Sequence, residues 1–298
     1  MRILIFGAGG LVGGHLLEAA RREGIDALPV FHEFVPTAYK QKQCLKADIT
    51  KESEAAFLIK EISPDCVVNL TALPVSVCEA HPKRAGDLIF KGTANIVSGL
   101  SNSIRYIHLS TDMVYDGLKE GFYTLEDREN PLNVYAKYKL QSEEYTKRSH
   151  ENNVIIRSCL VLGRGLFRRG GFADWMHEKA INKERIGLFR DQNRTPITAE
   201  GLAAAIIRLA SDNFTGILIG SGGYSMNRVE IGKIFLEANG FDLSLINEVS
   251  IEDVSSDAPL HKNLSASPGD FVRFSKIQPY RFKDLLRKSL LYPGKSHD

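Results

Sequence analysis

The chain is short of the features that mark most specialised proteins. Its 298 residues hold four cysteines and one tryptophan. Cys44, Cys66, Cys78 and Cys159 show no C-x-x-C spacing, and Cys66 and Cys159 sit in apolar runs, where a thiol behaves as a small hydrophobe. His15, His32, His81 and His108 lack metal-ligand spacing, so no zinc site is expected. The formal net charge of +2 is too small to recruit nucleic acid or an anionic membrane. No apolar run approaches the roughly 18 residues of a membrane span. The first strand begins at residue 2 with no signal peptide before it, so a cytoplasmic location is expected. What remains, 43% hydrophobic and 25% charged, suits a soluble globular chain with a sizeable core.

The first fifteen residues carry the strongest signal. Ile3 to Phe6 reads as a strand buried on both faces, followed by Gly7, Gly10 and Gly13 and then a helical pattern. Gly7 permits a tight turn, Gly10 lets backbone approach a diphosphate, and Gly13 lets the helix settle on the sheet. The free N–H groups of Leu11, Val12 and their neighbours then face an anion. Between a strand and a helix, such a triplet reads as a dinucleotide site.

Strand and helix alternate beyond it. Helices are expected at Leu11 to Arg22, from a Thr50 cap through Ile62, at Pro82 to Leu100 and at Leu132 to Glu151. Strands are expected at Ala27 to Phe31, Leu45 to Asp48, Cys66 to Leu70, Arg105 to Leu109 and Val154 to Arg157. Pro29 suits an edge or bulge position. The pattern predicts an α/β fold of Rossmann type, a parallel sheet wound on both sides with its ligand across the carboxyl ends of the strands. Residues 1–160 would form the dinucleotide-binding domain, with later sheet elements from about 185–220. Residues 161–298 would mainly form a smaller, interleaved substrate lobe. Gly163 to Gly171, rich in Gly and Arg, reads as a surface loop.

Two segments carry chemistry. Tyr135 and Lys139 lie four apart, hence on one face of a helix. A tyrosine hydroxyl protonates a carbonyl oxygen as hydride arrives, and a neighbouring ammonium lowers its pKa from about 10. Ser110, Thr111 and Asp112 fall where a strand ends, and a hydroxyl there stabilises the reacting oxygen.

Together these stretches resemble the extended short-chain dehydrogenase/reductase family, and its dTDP-4-dehydrorhamnose reductase (sugar-nucleotide 4-ketoreductase) branch in particular. The resemblance rests on Gly-Ala-Gly-Gly-Leu-Val-Gly13, Ala-Asp-Ile49, Val-Val-Asn-Leu-Thr-Ala72, Leu-Ser-Thr-Asp-Met-Val-Tyr-Asp-Gly117 and Asn-Pro-Leu-Asn-Val-Tyr-Ala-Lys-Tyr-Lys139. Asp191-Gln-Asn-Arg-Thr-Pro196, Gly216 to Gly223 and Arg228-Val-Glu-Ile-Gly232 continue it, so it spans nearly the whole chain. It implies a catalytic group of Thr111, Tyr135 and Lys139, with Asp112 and Met113 joining Thr111 at the substrate. It further implies that Asp48 and Ile49 lie beside the adenine, and Leu70, Thr71 and Ala72 along the ribose and diphosphate. The substrate would be a nucleotide-sugar and the assembly a homodimer.

The chain also departs from that branch. Ile89 stands where an Asn is usual, Arg157-Ser-Cys-Leu-Val-Leu162 lacks a Trp, and His261-Lys-Asn263 replaces an Arg-Pro-x-Asn stretch. NAD or NADP stays open. Glu33, 20 residues past Gly13 with no arginine beside it, favours NAD, although Lys40 and Lys42 follow. Arg164, Arg168 and Arg169, and separately Arg194, are candidates to meet a nucleotide diphosphate. Alternative readings are a nucleotide-sugar epimerase or dehydratase, and a regulatory subunit resembling the beta subunit of methionine adenosyltransferase.

Overall fold

The apolar runs assemble into one seven-stranded parallel sheet, in a computed structural model that describes residues 1–40, 44–168, 170–256, 258–276 and 281–292. Its strands are β1 (Arg2–Phe6), β2 (Asp26–Phe31), β3 (Leu45–Lys46), β4 (Cys66–Asn69), β5 (Arg105–Thr111), β6 (Asn153–Ser158) and β7 (Gly216–Gly220). They lie in the order β7-β6-β5-β4-β1-β2-β3. The chain therefore runs outward from β1 in one direction, then returns to β4 on the other side of β1. That reversal opens the crevice at the carboxyl ends where a doubly wound sheet takes its ligand.

Alternation along the strands sends side chains to two cores. Ile3, Ile5, Val68 and Ile107 join one core, under helices α1 (Leu11–Arg22) and Ala199–Ser211. Leu4, Phe6, Val67 and Tyr106 join the other, under α2 (Glu52–Ile62) and Gly92–Ser98. Covered on both faces, β1 is almost wholly apolar, whereas β5 and β6 bury Arg105, His108, Asn153 and Arg157, each with a hydrogen-bond partner. β3 pairs only with Val30 and Phe31, so Pro29 sits where one side of β2 is free, as an edge proline requires.

Three local expectations need correction. Thr50 does not cap α2; its hydroxyl is held by Asp48 Oδ1 at 2.7 Å, and Lys51 is the N-cap. The helix expected over Pro82 to Leu100 is interrupted by a π segment at Gly86–Lys91 between α-helical Pro82–Ala85 and Gly92–Ser98. Of the strands beyond residue 185, only β7 joins the main sheet. Ile186–Phe189 instead pairs with Ile246–Val249, and Asn193–Arg194 with Met226–Asn227 and Asn263–Leu264, in the smaller lobe.

Candidate active site

β1 ends in the glycine turn because no other residue fits there. Gly7 has φ +79°, and a Cβ on it would lie 2.9 Å from the Leu70 backbone. A Cβ on Gly13 would lie 2.5 Å from the carbonyl oxygen of Ala8, so α1 docks against the turn only without one. Gly10 is the N-cap of α1 and brings no side-chain cap, which leaves the first N–H groups of the helix free for an anion.

The turn forms one wall of a cleft of about 1180 Å³. All ten residues assigned to the cofactor between Gly7 and Ala72 line it, Asp48 and Ile49 as well as Leu70, Thr71 and Ala72. Asn69 holds Thr71 there: its Oδ1 accepts from Thr71 N at 3.0 Å and Thr71 Oγ1 at 2.7 Å. Glu33 and Phe34 also line the cleft, and the Arg168 guanidinium lies 5.2 Å from the Phe34 ring centre. Arg168 thus lines the same cleft as the glycine turn. Arg164 offers its carbonyl to His15 Nε2 at 2.9 Å, while Arg169 and Lys42 lie outside the described residues. In length and donor character the cleft fits a dinucleotide.

Helix α3 (Val134–Ser149) carries Tyr135 and Lys139 to the ends of β4 and β5. Lys139 is 1% exposed and donates from Nζ to the carbonyls of Leu109 at 2.7 Å and Thr71 at 3.1 Å. It is tied to the cleft wall on one side and to the catalytic strand on the other. Burial pulls its pKa down to about 8, with Glu143 and Cys78 opposing. Its ammonium lies 5.9 Å from the Tyr135 ring centre. The lowering expected at Tyr135 is not found. Burial, then the Asp112 charge, push the phenol pKa well above its usual value, with a hydrogen bond from Thr111 opposing. In this arrangement Tyr135 is a phenol that holds its proton.

Thr111 closes β5, its Oγ1 accepting from Met113 N at 3.2 Å and lying 3.3 Å from Asp112 Oδ1. Asp112 is 4% exposed, and burial pushes its carboxyl up to about 6 against the pull of Arg194 and Arg228. Thr111, Asp112, Tyr135 and Lys139 therefore gather at one point, just beyond the Leu109 and Leu70–Leu73 wall of the cleft.

Two parts of this neighbourhood escaped the sequence reading. Arg157 and Glu143, 1% and 0% exposed, pair beneath β5, and Ser110 donates to the same carboxylate. Glu143 follows Lys139 by four residues on the same helix face, a spacing that marks it as inward-facing. Arg228, at the start of helix Arg228–Ala238, donates from Nε to Gln192 at 2.8 Å and stacks on Phe172. No local pattern points to it.

The Asn-to-Ile departure lies in the π segment, where the Ile89 carbonyl accepts from Thr93 at 2.7 Å and Ser142 at 3.0 Å. Asn263 holds a turn, donating to the carbonyls of Lys119 and Gly121, both at 2.8 Å.

Residues 1–290 match the family described as RmlD substrate binding domain. The chain belongs to that family. It is 26% identical over 266 residues, 87% of each chain, to a Haloferax volcanii protein named "Probable low-salt glycan biosynthesis reductase Agl14". It is 27% identical over 303 residues to dTDP-4-dehydrorhamnose reductase of Mycobacterium tuberculosis, spanning 99% of this chain and 94% of that one. The fold superposes on dTDP-4-dehydrorhamnose reductase of Bacillus anthracis, solved with NADP, at a TM-score of 0.83 and 21% identity over 97% and 98% of the two chains. This RmlD-family chain is an oxidoreductase of the short-chain dehydrogenase/reductase type. Among its described residues, no helix is long and apolar enough to cross a membrane.

Proposed function

We propose that this chain reduces a 4-keto nucleotide-sugar with NADH or NADPH. The observation that carries the reading is Lys139, whose ammonium joins the cofactor cleft to the strand end that bears Thr111. The bound dinucleotide supplies the hydride. Tyr135, which carries its proton in this arrangement, gives it to the carbonyl oxygen of the substrate. Thr111 hydrogen-bonds the same oxygen as charge develops on it. Lys139 orients Tyr135 and the nicotinamide ribose, while Asp112 and Met113 border the sugar. Gly7, Gly10 and Gly13, with the N–H groups of Leu11 and Val12, receive the diphosphate. Glu33 at the adenosine end favours a free 2′-hydroxyl, hence NADH.

The test is oxidation of NADH and NADPH, followed by absorbance, over a panel of 4-keto sugar nucleotides. Net, stoichiometric consumption supports a reductase. Conversion of the sugar without net consumption points to an epimerase or dehydratase. Tight cofactor binding with no conversion points to a regulatory subunit. With a substrate in hand, Tyr135→Phe should lower kcat on the order of 10²- to 10⁴-fold. Survival of activity in that variant would rule out Tyr135 as the acid.

A further inference from the structure

Three buried side-chain atoms on the lobe side of Thr111 have no hydrogen-bond partner: Asp112 Oδ2, Arg228 Nη1 and His261 Nε2. Arg194 is 3% exposed and spends Nη1 on the carbonyls of Asn193 and His261, at 2.8 and 3.5 Å. Among the described residues neither Arg194 nor Arg228 has a carboxylate within 4.0 Å. Asp112 is the one carboxylate whose charge both of them feel. Two buried guanidiniums thus face one buried carboxyl without closing an ion pair. A fixed pair would be expected to contract; this arrangement instead suits a carboxyl that is neutral for part of its working cycle.

Asp112 also stands at the end of a chain of hydroxyls. Thr111 Oγ1 donates to Asp112 Oδ1 at 3.3 Å, and the same hydroxyl is close enough to Tyr135 to oppose the rise of its pKa. On the opposite side of Tyr135, Lys139 is committed to the Leu109 and Thr71 carbonyls. Ile89, one helix turn from Thr93, has no polar side chain, and its carbonyl already accepts two hydroxyls.

We propose that Asp112 is the proton store of this site, resupplying Tyr135 through the Thr111 hydroxyl after Tyr135 has protonated the substrate oxygen. The inference rests on the reductase reading above. The Asp112 O–H bond breaks and its proton passes to Thr111 Oγ1; the proton Thr111 already carried passes to the Tyr135 phenolate. No electrons change hands beyond the hydride transfer. The carboxylate left on Asp112 is held by Arg194 and Arg228, and it regains a proton from solvent after the product departs.

The titration of Asp112 can be read separately from that of its neighbours. The charged and titratable groups that face it are Arg194, Arg228, Tyr135 and Cys159. Burial pushes the Cys159 thiol and the Tyr135 phenol upward, so both stay protonated. His261, beside Arg194, is pulled down to about 4 by burial and stays neutral. Burial brings Lys139 down to about 8 and Arg228 down to about 9, and pushes Asp112 up to about 6, so Asp112 lies between His261 and Lys139.

Asp112→Asn keeps the shape and the contact with Thr111 but cannot supply a proton. Wild-type kcat should fall as pH rises through the Asp112 range, then fall again as Lys139 deprotonates. Asp112→Asn should lose the first limb and keep the second. Its plateau kcat should be lower by about 10²-fold, with the Kd for NADH unchanged. An infrared difference between wild type and Asp112→Asn should contain a carboxylic-acid band that titrates over the same range as the first limb. A first limb retained in Asp112→Asn overturns the proposal, as does a variant altered in KM alone, which would make Asp112 a substrate contact only. Absence of the acid band at pH well below the midpoint overturns it without any substrate. Lack of turnover by the wild type on every keto-sugar overturns the reductase reading and the proposal with it.

Discussion

Removal of Glu143 is the sharpest test of how the catalytic strand end is held. Arg157 reaches this carboxylate through Nε at 3.1 and 3.2 Å and Nη2 at 2.8 Å. It also donates to the Tyr115 hydroxyl at 2.9 Å and to Glu129. Glu143 is fully enclosed, whereas Glu129 is one-third exposed and holds only one edge of the guanidinium. Glu143→Ala therefore leaves a buried cation mostly uncompensated and deprives Ser110 of its acceptor. Breaking a buried pair in this way costs about 3–5 kcal/mol, a large part of a typical stability of roughly 5–15 kcal/mol. At about 2–4 °C per kcal/mol, Tm should drop by roughly 6–20 °C. Urea unfolding of wild type, Glu143→Ala and the double variant Glu143→Leu/Arg157→Met gives the measurement. The double variant should regain most of the loss, because an apolar pair of similar volume replaces the ions. If Glu143→Ala stays within about 1 kcal/mol of wild type, water or a shift of Glu129 compensates Arg157, and the reasoning fails.

Gly13→Ala should lose cofactor affinity together with about 1–3 kcal/mol of stability, since its methyl group meets Ala8 backbone; calorimetric titration and thermal melts check both. Lys139 releases its proton near 8 in the fold instead of 10.5. Between those values the unfolded chain binds the proton and the folded chain does not, so stability should rise with pH across that window. Below it, the buried ammonium costs about 3 kcal/mol. Lys139→Met should flatten the profile of stability against pH, and an unchanged slope would place the titration elsewhere.

The dinucleotide cleft was legible because its determinants are local. A strand, a glycine turn and a helix start occupy thirteen consecutive residues, and Gly10 and Gly13 answer to contacts inside that stretch, although Gly7 also meets the distant Leu70 backbone. The Tyr135–Lys139 pairing is local too, a matter of helix pitch. What depends on distant chain was not legible. Packing against Cys78, Ala85 and Ile89, together with the Asp112 charge, overrode the expected effect of Lys139 on Tyr135. Arg228 comes within range of the Asp112 charge beside Arg194, where Asn193–Arg194 pairs with Met226–Asn227 in a two-residue ladder with no periodicity to read. The π segment left no trace in composition, since the residue types of Gly86-Asp-Leu-Ile-Phe-Lys91 suit an α-helix equally well.

Helix α3 presents Tyr135, Lys139 and Glu143 at steps of four residues, each about 6 Å further along the axis. One rod thus sets the proposed acid, the anchor between cleft and strand, and the partner of Arg157. Substitution and insertion then have opposite consequences along it. Lys137, Gln141 and Glu144 face solvent and are free to vary in kind. A single residue added anywhere between Tyr135 and Glu143 turns one end by about 100° against the other, and no compensating change of side chain restores the alignment. In this stretch the number of residues matters more than most of their identities.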